Sequence, residues 1–233
     1  MTNYDDLPLF PLHVVLFPEM PLPLHIFEPR YREMVMRCRE ENSPFGITLI
    51  GSGDEIGAQT MAHRIGTTAR ITQYEELPDG RMYILVLGET RFQILHTHCE
   101  KPYLSASVQP FGDEIRDSRQ LEQTMAAVSQ LFKTYLQKLL AMTGQSLSGL
   151  QLPREPENLA YAIASVLQVP LPEKQNLLEM TVTEDRLTRE MEILRVEIEA
   201  QNSLQEFLGT GAEGGSAAFP VDIKELSKLS SQN

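Results

Sequence analysis

The pattern of apolar and polar positions changes character along the chain, and each change predicts a different kind of element. In residues 7–27, large apolar residues are interrupted by prolines at 8, 11, 18, 21 and 23. That spacing rules out a helix and predicts short extended pieces or sheet edges. Val14–Phe17 and Leu22–Ile26 are the strand-like runs, the second with Leu22, Leu24 and Ile26 on one side. Pro29 then suits the first turn of a helix, where its missing N–H costs nothing. Tyr31, Met34, Val35 and Cys38 follow at helical spacing, and Asn42-Ser43-Pro44 stops the run. Phe45–Ile50 has strand length, and residues 51–58 read as a loop. Thr67–Tyr74 and Arg81–Leu87 form a hairpin pattern around Leu77-Pro78-Asp79-Gly80. Gly88-Glu89-Thr90 reads as a turn into a further strand, Arg91–His96, and Tyr103–Gln109 alternates as the next.

Beyond residue 112 the period lengthens. Leu121, Met125, Val128, Phe132, Tyr135 and Leu139 form a helical seam that Gly144–Gly149 breaks. Leu159, Ile163, Val166 and Leu167 mark a short helix ending before Pro170, and Glu173–Met180 a shorter one. Thr183 with Glu184 and Asp185 is a helix start, with acids where the helix dipole favours them. Leu187, Met191, Leu194 and Ile198 carry that helix to about Leu208. The pattern thus predicts an α+β chain: a β-rich lobe over 1–112, as a barrel or sandwich, a helical lobe over 113–208, and a Gly-rich linker with a tail over 209–233. In the tail, Asp222 and Glu225 make a capping arrangement ahead of Leu226 and Leu229, the pattern of a short docking helix or of an unstructured end.

Charge narrows the partners. The formal net charge is −12, with 9 basic against 14 acidic residues in 1–112 and 11 against 18 in 113–233. Such a field repels a phosphate backbone, and the arginines at 30, 32, 37 and 39 are interleaved with Glu28, Glu33, Glu40 and Glu41. Two cysteines, Cys38 and Cys99, fit a reducing compartment rather than a disulfide framework. No signal-peptide pattern and no long apolar window is present, so the expected location is the cytoplasm and no membrane is expected as a partner.

No stretch carries a recognisable chemistry. His96-Thr97-His98-Cys99 looks like metal ligands, but in a strand Cys99 points away from the two histidines and no second cluster completes a site. Gly51, Gly53 and Gly57 are spaced one residue too widely for a dinucleotide fingerprint, and no phosphate-binding Gly-Lys-Ser/Thr loop exists. In Gly144-Gln145-Ser146-Leu147-Ser148 a serine replaces the second glycine of a nucleophile elbow, and it lies between helices. Cys38 sits on an apolar helix face, the place of an inert packing thiol. The expectation is a chain with no catalytic residues, no metal and no cofactor.

The opening LPLFPL, the LFP step at 16–18 and the block PLHIFEPRY at 23–31 resemble the start of the Lon protease N-terminal domain. The resemblance continues through Phe45-Gly46, Ile65-Gly66-Thr67-Thr68-Ala69-Arg70-Ile71, Leu77-Pro78-Asp79-Gly80 and the GETRFQIL of 88–95, and reaches to about Leu208. It implies a PUA-like β-barrel lobe followed by a small helical bundle, in a stand-alone domain without the Lon ATPase and protease. What it implies about function is non-catalytic recognition of unfolded or apolar protein segments, with an adaptor role toward a protease or chaperone as the extension of that reading. Phe17, Met20 and Leu22 in the proline-rich loop are the expected protein-binding residues, because loops carry recognition and methionine adapts to varied partners. The alternatives are an RNA-binding PUA-like protein, which the charge opposes, and a small-ligand sensor. Neither the partner nor the oligomeric state is legible.

Overall fold

The proline-rich start of the chain folds into the middle of a sheet, and the reason lies in which way each proline nitrogen faces. The computed structural model describes residues 3–51, 62–115, 119–141 and 150–210, with side chains in the last helix up to residue 203. The expected loop at 52–58, the break at 144–149 with Ser146, and the tail after 210 lie outside them. The first strand, β1 (Tyr4–Leu12), pairs in parallel with β3 (Phe45–Ile50) and antiparallel with β6 (Ser105–Pro110). Leu9 N–H donates to Leu104 O at 2.8 Å, so from Leu7 onward the odd-numbered nitrogens of β1 face β6 and the even-numbered ones face β3. Pro8 therefore faces β3 just before that pairing begins at Leu9, and Pro11 faces β6 beyond its last partner. Neither missing N–H removes a ladder bond, which is why a nine-residue strand with two prolines is internal rather than an edge. Val14–Phe17, expected as a strand, is instead connecting chain between β1 and β2 (Pro21–Ile26), with Val15, Leu16 and Phe17 buried.

β4 (Ala62–Glu76) and β5 (Met82–His98) are long and form the expected hairpin. Its turn is closed by Leu77 N–H to Arg81 O and by Gly80 N–H to Leu77 O, both 2.8 Å, with Gly80 at φ 79°. The turn expected at Gly88-Glu89-Thr90 is a bulge inside one continuous strand: Thr67 faces Arg91 but Ala69 faces Gly88, three residues against two. At this bulge β5 changes neighbours. Its first half pairs with β2 and its second half with β6, so β5, β4, β3, β1 and β6 close into a ring and β2 lies outside it. A Cβ on Gly88 would stand 2.2 Å from Phe17 O, so the bulge needs glycine for the proline loop to approach.

Five helices complete the described residues: α1 (Pro29–Glu40), α2 (Arg119–Ala141), α3 (Pro156–Val166), α4 (Leu171–Glu179) and α5 (Thr183–Thr210). α1 starts at Pro29, and its buried residues are Tyr31, Met34, Val35 and Cys38, the face the sequence pattern selects. These pack with Phe10, Phe45, Ile47 and Ile84 on one side of the sheet. The barrel interior holds Leu7, Leu9, Phe92, Ile94, Ala106 and Val108. Phe132, Tyr135, Leu159, Ile163, Leu187 and Leu194 from the helices share a third core with Val15, Phe17, Leu49 and Ile65. The β-rich and helical parts are therefore welded by apolar packing.

Phe92 fills the barrel because Gly46 and Gly66 leave room for its ring. A Cβ on Gly66 would lie 2.5 Å from Ile47 O and 2.8 Å from the Phe92 ring, whereas one on Gly112 would meet nothing within 4 Å. Urea unfolding is expected to show Gly66→Ala destabilised by about 1–3 kcal/mol from overpacking. Gly112→Ala should leave the midpoint nearly unchanged, and equal midpoints for the two variants would refute this account of the barrel.

Candidate functional site

Beside β2 lies an exposed cluster of rings, and the edge of this strand is chemically unusual. Gly88 N–H donates to Met20 O at 3.0 Å, which sets the ladder: residues 22, 24 and 26 exchange hydrogen bonds with β5, and 21, 23 and 25 turn their backbone groups outward. The outer edge thus offers the carbonyls of Pro21, Pro23 and His25 but only one N–H, that of His25. An added strand would find two of the three donors missing, so the prolines blunt the edge against strand addition. Leu22, Leu24 and Ile26 face the core. On the opposite side His25 stacks on Tyr83 with ring centroids 4.7 Å apart, and Phe27 lies 5.7 Å from His25. Tyr83 is 50% and Phe27 49% exposed.

Of the three residues expected from sequence to touch a partner, only two have any exposed surface. Phe17 is fully buried, its ring 6.4 Å from Tyr161 of α3, and serves the shared core. Met20 and Leu22 are half-buried, Met20 packing against both the helical core and the α1 core. Phe27 and Tyr83 are not among the expected residues, although each occupies the outward position next to a buried neighbour, Ile26 and Met82 respectively.

The densest buried chemistry lies elsewhere, between barrel and helices. Arg91 of β5 and Arg186 of α5 have side chains 1% and 0% exposed, and both contact Asp113 Oδ1, at 3.0 and 2.6 Å. Tyr161 donates to the other oxygen of Asp113. Arg91 also donates to Leu178 O, to Met180 O at 2.7 Å and to Gly112 O at 3.0 Å, while Arg186 Nε donates to Leu177 O at 3.0 Å. The two guanidiniums thus cap the last carbonyls of α4, where positive charge is favoured. The Arg186 guanidinium lies 4.7 Å from the Tyr161 ring centroid. Arg91 Nε and Arg186 Nη1 have no hydrogen-bond partner among the described residues, but both guanidiniums are buried, and their remaining contacts fasten one part to the other. One turn along α5, Glu190 is fully buried with both carboxylate oxygens unpartnered among the described residues. Burial holds its carboxyl well above the usual range, with the nearby Arg186 pulling the other way.

Other candidates are placed as follows. Burial pushes the Cys38 thiol up to about 11, away from the thiolate form. His98 Nε2 is engaged with Ser107 Oγ at 2.9 Å, and Cys99 is exposed. Among the described residues no group of three or more His, Cys, Asp or Glu side chains is placed to hold a metal ion. No helix among them is long and apolar enough to cross a membrane.

Comparison with known proteins places this geometry in a lineage. Residues 6–196 match the family model described as the ATP-dependent protease La (LON) substrate-binding domain. The Lon protease of Solibacter usitatus is 30% identical over 202 residues, which cover 84% of this chain and 25% of that protein. That of Escherichia coli is 29% identical over 201 residues, covering 83% and 25%. The chain spans about a quarter of the length of these curated relatives. A Lon N-terminal domain protein from Xanthomonas campestris superimposes with a TM-score of 0.58 at 23% identity, covering 80% of this chain and 96% of that one. The N-terminal domain of the Mycobacterium avium complex Lon protease gives 0.62 at 17% identity, covering 82% and 98%. At those identities the structural likeness carries the fold alone.

The buried carboxyl on α5 makes stability depend on pH. Because folding raises the pKa of Glu190, its contribution is fully present below the unfolded value of about 4.3 and is lost as pH rises through the folded value. Glu190→Gln keeps the shape and removes the proton. Its Tm should exceed that of the parent by more at pH 8 than at pH 4, and thermal melts across that range with a constant difference would refute the assignment.

Proposed function

The chain belongs to the ATP-dependent protease La (LON) substrate-binding domain family, and from that we propose that it is a non-catalytic module that binds unfolded or partly folded protein segments. The single observation that carries the reading is the exposed ring strip of His25, Phe27 and Tyr83 beside an edge whose prolines disfavour strand addition. Binding then proceeds by burial of apolar side chains on the strip, while the half-buried Met20 and Leu22 pack on the core side. Exposed aromatic clusters are where proteins anchor partners, and a partner without fixed structure can lay its own apolar side chains across them.

Several features support the non-catalytic part. The family match is to a substrate-binding domain, the relatives are matched over about a quarter of their length, and the charged cluster at Asp113 is occupied in fastening the fold. A role as an adaptor, passing bound segments to a protease or chaperone, follows from the same reading. The net charge of −12 favours protein over nucleic acid as the partner.

Fluorescence anisotropy with a labelled, permanently unfolded protein tests the proposal. The parent chain should bind with a Kd of about a micromolar, and Phe27→Asp and Tyr83→Asp should each weaken it about 5–10-fold, the range for loss of an aromatic anchor. Both positions are half exposed, so melting temperatures should hardly move. Undiminished affinity in both variants would refute the surface, absence of binding by the parent would refute the function, and turnover of the unfolded protein would refute the non-catalytic role.

A further inference from the structure

A second apolar surface lies on the helical part, away from the ring strip. Between the start of α4 and the middle of α5 runs a groove of about 440 Å³. Val169, Pro170 and Pro172 wall one side of it, Ile193 and Val196 the other. Val196 is 64% exposed, more than any other large apolar side chain among the described residues. At the rim Arg189 is held between Glu173, at 2.8 Å, and Glu192, at 3.1 Å, so the polar border is organised while the apolar floor stays open.

We propose that residues 219–229 of the same chain occupy this groove. The lengths agree. From Val196 to Thr210, α5 runs fourteen residues, about 21 Å at 1.5 Å per residue. Residues 211–218 can span up to about 28 Å when extended. Phe219 can therefore return to the level of Val196. The following segment carries Ile223, Leu226 and Leu229 after the Asp222 capping arrangement, at a spacing of three that keeps them on one side of a helix over about 9 Å. On α5 the groove runs from Arg189 to Glu197, about 12 Å, so three such side chains match its floor. A tether this short holds the segment at a millimolar-scale local concentration, so even a contact too weak to detect between separate molecules closes. The proposal does not rest on the protein-binding reading of the ring strip.

Crosslinking in the full chain tests it. In a Cys99→Ser background, Glu192→Cys at the groove rim is paired with Ser227→Cys, and a short bismaleimide is added; Cys38 is buried and stays unreactive. Crosslinking within one chain should be about tenfold faster than in a control pairing Ser227→Cys with Met36→Cys on the exposed face of α1, and adding Ile223→Asp should remove that advantage. Circular dichroism of each variant confirms that it folds. Equal rates for the two pairs, an advantage that survives Ile223→Asp, or products that join two chains would each overturn the proposal, the last by showing that a second copy fills the groove.

Discussion

The relation between barrel and helices depends on one carboxylate. Asp113 stands just after β6 and receives Arg91 from the barrel, Arg186 from α5 and the Tyr161 hydroxyl from α3. Two guanidiniums taken fully out of water would be costly alone, and removing one partner of such a cluster costs on the order of 3–5 kcal/mol. Here the charges are spent on backbone as well: the carbonyls of Leu177, Leu178 and Met180, which α4 leaves unpaired at its end, are donors' targets. The chain after β6 is also stitched to the α4–α5 connection by Glu114 N–H to Thr181 O at 2.7 Å and Thr183 N–H to Glu114 O at 3.1 Å. Apolar packing supplies the attraction between the two parts, and the arginines supply its geometry.

That geometry is what leaves β2 where it is. Phe17 is drawn into the shared core, which pulls the Pro18–Met20 turn against the Gly88 bulge. Glu19 N–H bonds Gly88 O at 2.8 Å there, with Glu19 in the left-handed region at φ 61°. From this anchored corner β2 runs along the first half of β5 and nowhere else, so one edge and one side remain free. Scaffold and exposed surface are thus alternating residues of the same short segment.

Local features were legible in the sequence and long-range ones were not. The helix starting at Pro29, the turn at 77–80 and the seam through Val128, Phe132 and Tyr135 each follow from spacings within a few residues. Pro8 and Pro11 misled because their effect depends on which neighbour each nitrogen faces, a property of the assembled sheet. Gly88-Glu89-Thr90 has turn composition, and only the change of partners along β5 makes it a bulge. Arg91, Asp113, Tyr161 and Arg186 meet across as many as 95 positions, and nothing near any one of them announces the others. For the candidate surface, Phe17, expected at a contact, is taken by the core shared with the helices, a long-range outcome that local spacing does not show. Alternation around Ile26 and Met82 already pointed Phe27 and Tyr83 outward.

The proline edge of β2 has a consequence for how any chain lying on it would be read. A strand added to a sheet is fixed in direction and in register, because each of its amides must meet a particular partner. An edge with two of its three donors removed imposes both only weakly. What remains is contact between rings and apolar side chains, which has no polarity: a segment can lie there in either direction and shift along without breaking a ladder. A chain bound there would be selected by what it is made of rather than by its order.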